Sequence, residues 1–236
     1  MDFDLKIDEI NRRISPEADF PQIRESLQEV FDRILFSECE SREKKLKAAF
    51  SLLSKVDNLD FPERTCEYKI NISLLAETLV FCCDAVLCED GRRVIFLSGF
   101  NDIHIKADPK IVTRAILNAV SNAVGYSDGD CAAVILEKVG ESAVLTFQSS
   151  GDFAVSNYLR SLGGTGGLSF ISKVVRHYGG CMLMRSDGGS TSLVFSLPAY
   201  SARGLPEYEV PQADELLFDR LGAIYEALYR LTFKGI

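Results

Sequence analysis

The chain has no tryptophan, three methionines and only two histidines in 236 residues. Histidine chemistry therefore has two addresses, His104 and His177. Positive charge is also in short supply: 26 Lys and Arg against 34 Asp and Glu leave a net charge of −8. A surface of that sign argues against nucleic acid or an anionic membrane as the main partner, because either needs a basic face. No apolar run approaches the ~18 residues of a membrane span. The most apolar stretch, Ile72 to Cys88, is broken by Glu77 and Asp84. The opening MDFDLKIDE is acidic and lacks the apolar centre of a signal peptide. The seven cysteines (39, 66, 82, 83, 88, 131, 181) are odd in number and mostly sit in apolar stretches, so they read as reduced, buried thiols in a cytoplasmic protein. Cys82, Cys83 and Cys88 have neither CxxC spacing nor a nearby histidine, which argues against zinc.

What is present is the composition of a packed globular chain, 47% hydrophobic and 25% charged. Residues 1–60 read as a helical hairpin. Ile23, Leu27, Val30 and Ile34 make one apolar stripe, and Leu46, Phe50, Leu53 and Val56 make a second beyond a polar break at Ser37–Ser41. A hairpin alone cannot hide both stripes, so they pack within the chain or pair with a second copy in a four-helix bundle. Pro62 marks a hinge. Helices and strands then alternate through residue 198: a strand over Glu67–Asn71, a helix capped by Ser73 and strands at Arg93–Ser98 and Ile103–Lys106. A helix opened by Asp108–Pro109 follows, then a strand pair around Gly140, a helix after Gly163–Gly167, and two closing strands. Crossovers mixed with hairpins predict an α+β unit with a mixed sheet covered by helices on one face. Residues 199–236 form a proline-marked linker and one amphipathic helix with Leu217, Leu221, Ile224, Leu228 and Leu231 on a seam. That seam docks on the main domain or takes a partner.

Two features carry chemistry. Asn118 and Asn122 lie one turn apart on one helix. Asparagine is a poor helix former, so the pair asks for a reason: a neighbouring loop to bond, or magnesium, for which a carboxamide oxygen is a hard neutral ligand. The run Gly163-Gly164-Thr165-Gly166-Gly167 opens a helix. Such glycines form a turn, or let backbone amides approach a phosphate at a helix start. The order is the informative part. An NxxxN helix, a strand ending in Gln148-Ser149-Ser150-Gly151, a GGTGGL loop opening a helix, then HYGG and STSLVFSLP resembles the catalytic ATP-binding domain of sensor histidine kinases, a Bergerat-type α/β sandwich shared with gyrase-like ATPases.

The resemblance covers about residues 67–198 and implies ATP and Mg²⁺ as the cofactors. It implies Asn122 as the metal ligand, with Asn118 one turn before it, and Gly163, Gly164, Thr165, Gly166 and Gly167 around the phosphates. Ser149 then falls at the adenine, and Gly151 in the same turn and Thr191 on the late STSLVFSLP strand fall at nucleotide-binding positions. Upstream, the hairpin matches the family's dimerisation element, so the resemblance implies a homodimer through residues 20–56. It implies a response-regulator receiver domain or another kinase as the partner. The same alignment exposes four departures. Pro16 stands where the phospho-accepting histidine belongs. Ser149 stands where an aspartate takes the adenine amino group, and Phe153 replaces a glycine beside it; Asp152 serves instead if the turn shifts. Gly125 stands where a lysine is common, and Ala154–Leu162 is short for a lid. The expectation is a degenerate two-component kinase without a catalytic residue of its own, acting by binding, with weak or no ATP use. The alternative is an active ATP- and Mg²⁺-dependent kinase or ATPase acting in trans.

Overall fold

The computed structural model describes residues 65–127, 129, 131–150, 167–187, 189–219 and 222–232. The expected hairpin, with Pro16 and the pairing surface 20–56, lies outside the described residues. So do Gly151, Asp152, Phe153 and Gly163 to Gly166.

Strand β1 (Tyr68–Asn71) runs directly into helix α1 (Ile72–Leu87). The cap is Asn71, whose Oδ1 accepts from the amide of Leu74 at 3.0 Å, and not Ser73 as the sequence suggested. Ser73 lies inside the first turn, buried, and its Oγ accepts from the amide of Ile103. Asparagine at this position satisfies one of the amides that a helix start leaves unpaired. The inward set Leu75, Leu79, Cys82, Cys83 and Val86 is buried as its spacing requires. A short turn leads to β2 (Arg93–Ser98), then β3 (His104–Ala107), and α2 (Pro109–Gly125) starts at Asp108, whose Oδ1 accepts from the amide of Lys110 at 3.0 Å. Strands β4 (Cys131–Val139) and β5 (Ser142–Ser150) form a hairpin. Its two-residue turn begins at Gly140 with φ of 57°, the left-handed value that a II′ turn demands first and glycine adopts without strain. Helix α3 (Gly167–His177) precedes β6 (Met182–Ser186) and β7 (Ser190–Pro198).

The five-stranded sheet has the order β2-β4-β5-β7-β6, with β2 and β4 parallel and the other pairs antiparallel. Helices α1, α2 and α3 cover one face, where Leu145, Phe147, Leu193 and Phe195 are buried. Phe147 and Phe195 stack at 5.4 Å in the centre. Strands β1 and β3 do not join this sheet; they pair with each other, Asn71 opposite His104, as a separate two-stranded ribbon. The C-terminal seam is two helices and not one: α4 (Ala213–Phe218) and α5 (Ala223–Thr232), both packed on α1, with α5 also on α2.

The cysteine expectation needs correcting. Cys82 and Cys83 are buried, but Cys66, Cys88, Cys131 and Cys181 are exposed free thiols. Burial pushes the Cys82 thiol up to about 11. It raises Cys83 as well, helped by the neighbouring Cys82 and Asp84. Neither is therefore a nucleophile near neutral pH.

Helix α1 is tied to β2 by Asp84, which accepts from Arg93 Nε and Nη2 at 2.8 Å each and from the amide of Val94 at 2.9 Å. The Arg93 hydrogen bond holds the Asp84 carboxyl below its usual range. A depressed carboxyl stabilises the fold above its unfolded value, and that contribution fades as pH falls. Asp84→Asn is therefore expected to melt below the parent at neutral pH. The gap should close under acid conditions, below about pH 4. Thermal melts from neutral to acid pH read the difference.

Candidate functional site

Helix α2 carries a polar stripe, Arg114, Asn118 and Asn122, each four residues from the next, and the first two of these meet α3. The Arg114 guanidinium lies 4.3 Å from the centre of the Phe170 ring, a cation–π contact between the two helices. One turn on, Asn118 faces the first residue of α3. A Cβ on Gly167 would sit 3.2 Å from Asn118 Oδ1, so glycine lets the α3 backbone come this close. The structure thus brings the asparagine helix and the end of the glycine run together, which their separation in sequence does not reveal.

Asn122 supplies the test of fit for the implied cofactor. Its Nδ2 is buried and has no hydrogen-bond partner among the described residues. Leaving such a group unpaired costs about 1–3 kcal/mol. Rotating the amide by half a turn places Oδ1 at the same point, so the position offers either a donor for a phosphate oxygen or a hard oxygen for magnesium. Asn118, Asn122 and Gly167 therefore fit a metal–phosphate group. Among the described residues no cluster of three Asp, Glu, His or Cys side chains offers a metal site of another kind. Gly125, one turn beyond, carries no cation, and its open side is filled: a Cβ there would meet Leu231 Cδ2 of α5 at 3.4 Å.

The purine end of the expected site lies on β5 and β7. Ser149 and Thr191 are cross-strand partners, both buried. Ser149 Oγ donates to the carbonyl of Thr191 at 3.3 Å. Its one proton is thus committed to the neighbouring strand, and only neutral lone pairs remain. A neutral hydroxyl is a weaker acceptor than a carboxylate. Next to it, Ser150 Oγ lies 2.8 Å from Ser127 Oγ and accepts from the amide of Gly129 at 3.0 Å. These contacts flank a hollow of about 320 Å³ bordered by Cys131, Ser149, Ser150 and Gly189. Sequence reasoning missed Arg114, Ser127 and Ser150. Arg114 had a signal, its place four residues before Asn118; the serine pair had none, since it depends on how two strand ends meet. Of the two histidines, His104 lies on the β1–β3 ribbon, and His177 ends α3 with its ring edge-on to Tyr178 at 4.8 Å.

No family model and no curated protein matches the chain. Solved structures do. The catalytic domain of the histidine kinase ThkA, in a nucleotide-free form, is 17% identical over 57% of this chain and 95% of that one, with a TM-score of 0.50. The Acinetobacter baumannii histidine kinase AdeS is 12% identical over 74% of this chain and 94% of that one, at 0.54. Full-length ShkA in complex with AMPPNP is 15% identical over 78% of this chain, at 0.62, and the match spans 45% of that protein. A mixed five-stranded sheet with helices on one face, an asparagine helix beside a glycine-led helix and these structural likenesses agree: the chain carries the α/β fold of histidine kinase catalytic domains.

Proposed function

We propose that this protein is a degenerate member of the two-component kinases that works by binding, with little or no use of ATP. The observation that carries the reading is Ser149. Where the fold would offer an anionic acceptor to a purine amino group, there is a neutral hydroxyl whose proton is held by the Thr191 carbonyl. Exchanging a charged acceptor for a neutral one removes about 1.5–3 kcal/mol, roughly tenfold to a hundredfold in affinity. Gly125 leaves the phosphates without a nearby lysine, and Pro16 leaves the hairpin without a phospho-acceptor. The residual functions are those of a dimer formed through residues 20–56 and of a docking surface for a receiver domain or another kinase. Among the described residues no helix is long and apolar enough to cross a membrane.

A second reading has its own support. The unpaired Asn122 Nδ2 and the closeness of Gly167 to Asn118 suit a retained Mg²⁺–ATP site. In that case Asn118 and Asn122 orient the phosphates, and the bound nucleotide supplies a transferable phosphoryl group to a partner chain. Calorimetry separates the two. Mg²⁺–ATP titrated into the protein is expected to give no heat, and low-micromolar binding overturns the first reading. Ser149→Asp is expected to gain about tenfold to a hundredfold in ATP affinity over the parent, provided the asparagine end is intact. An unchanged affinity would show that Ser149 is not what limits binding.

A further inference from the structure

Strand β2 is one edge of the five-stranded sheet, and among the described residues no strand pairs with its outer side. The Val94 amide shows which groups face that side: it donates to Asp84 Oδ1 at 2.9 Å and not to β4. In a parallel pair, alternate residues turn their backbone groups toward the partner strand. Arg93, Ile95 and Leu97 therefore bond to β4, and Val94, Phe96 and Ser98 turn theirs outward. Protein edges are commonly guarded by lysine, proline, a bulge or a covering loop. This edge reads Arg-Val-Ile-Phe-Leu-Ser, and its single charge, Arg93, is held by Asp84. Ile95 and Leu97 are 41% and 49% exposed, on the sheet face opposite buried Val94. Helix α1 extends the patch. Leu74, Glu77, Phe81 and Asp84 follow one helix face at spacings of three, four and three. Asp84 reaches the β2 edge, so Leu74 and Phe81, 47% and 61% exposed, flank the same opening.

We propose that this edge is a self-pairing surface: β2 joins β2 of a second copy, antiparallel about a twofold axis, with Phe96 opposite Phe96. In that register the strand is its own complement. The two Phe96 residues exchange both backbone hydrogen bonds, and each Ser98 amide donates to the Val94 carbonyl of the other copy, while the Val94 amide stays with Asp84. Ile95 then lies opposite Leu97 of the second copy as a non-hydrogen-bonded pair, where side chains are closest. Each exposed apolar side chain of the strand meets an apolar one. Leu97 already lies beside Ile135 of β4, so the apolar row continues from one sheet into the next. Arg93 falls opposite Gly99, and no charge on the strand meets a like charge. Moving the axis one residue either way pairs an outward residue with chain beyond the strand, Ser98 with Arg92 or Val94 with Phe100. The edge and the α1 stripe engage fewer than the roughly 20–30 residues a side of a standard interface, so the pairing depends on concentration. It is a different surface from residues 20–56 and does not rely on them.

Cross-linking of the full chain tests the register. Ile95→Cys and Leu97→Cys are made in separate copies, co-expressed and oxidised, and the linked peptides are identified by mass spectrometry. Opposed residues of a non-hydrogen-bonded pair have Cα atoms about 4.5 Å apart, within the range a disulfide spans. A disulfide between position 95 of one copy and position 97 of the other is therefore expected, with little linkage between two copies of the same variant at these positions. Absence of the 95–97 link, or a predominant 95–95 or 97–97 link, overturns the proposal. The readout is specific to this edge, whatever residues 20–56 do. Light scattering over a range of concentrations gives a second test, and both positions are exposed enough to accept charge in a folded chain. Ile95→Lys combined with Leu97→Lys sets like charges opposite each other and should weaken the association at least about tenfold. Ile95→Lys combined with Leu97→Glu sets opposite charges face to face and should recover it. Equal association of the two double variants refutes the pairing.

Discussion

Gly180→Ala is expected to cost more than about 3 kcal/mol, beyond ordinary overpacking and a large share of a domain's total stability. The reason is steric and local. Helix α3 ends in a paired-glycine motif. Gly179 takes φ of 74°, and its amide donates to the Arg176 carbonyl at 3.1 Å. The Gly180 amide donates to the Val175 carbonyl at 2.8 Å, which completes a Schellman cap. Gly180 then passes directly against β7: a Cβ there would collide with the backbone oxygen of Ser196 and lie 3.1 Å from Val175 Cγ1. The strand cannot yield. Ser196 pairs with Val144 in β5, and its amide donates to the Cys181 carbonyl at 2.8 Å. Gly179→Ala is the contrasting case. Its backbone is left-handed, which costs a side chain about 1–2 kcal/mol, but the nearest atom to a Cβ is Pro198 Cγ at 3.9 Å. Urea unfolding of the two variants should rank them in that order. If Gly180→Ala unfolds no more readily than Gly179→Ala, the close approach of helix end and strand is not what holds this corner.

That pair of glycines also shows what could be read in the chain beforehand. The HYGG tetrapeptide marks a helix end, and the helix does end there, at His177. That the second glycine is demanded by a backbone oxygen from β7 is a tertiary fact with no local signature. The same division runs through the fold. Strand β2 lies where its pattern puts it, because alternation is a local property. The separation of β1 and β3 from the main sheet was not legible, since it rests on Asn71 meeting His104 across a long stretch of chain. The break between α4 and α5 did have a signal. Gly222 interrupts the seam, and its amide donates to the Asp219 carbonyl at 2.9 Å, a turn that the leucine spacing alone conceals. At the candidate site, motif order set Asn118 beside the glycine run, whose last residue, Gly167, lies against it. The hydrogen bond from Ser149 to Thr191 was out of reach, because it depends on the register between β5 and β7.

The second large effect concerns the C-terminal helices α4 and α5. Leu228→Ala is expected to destabilise the protein by about 2–5 kcal/mol, the range for a buried leucine. Helix α5 has ten residues, too few to be stable by itself in water, so its helicity must come from burial. Ile224 is 1% exposed, Leu228 0% and Leu231 8%, all against α1 and α2. The Tyr225 hydroxyl donates to the Leu217 carbonyl at 3.3 Å and joins α5 to α4. At the start of α4 the Cys82 thiol donates to the Ala213 carbonyl at 3.6 Å. The C-terminal helices are therefore part of the core of this unit, and removing residues 205–236 should expose the apolar outer faces of α1 and α2 and make the chain insoluble. Phe218→Ala is the matched control. Phe218 is 90% exposed at the end of α4, and its loss should move stability by less than about 0.5 kcal/mol. Equal midpoints for Leu228→Ala and the parent in urea would mean that α5 is free to serve a partner through its leucine seam. With the expected loss, a partner can compete for that seam only by displacing α5 from α2, which would also withdraw Leu231 from Gly125 and open the asparagine helix at its C-terminal end.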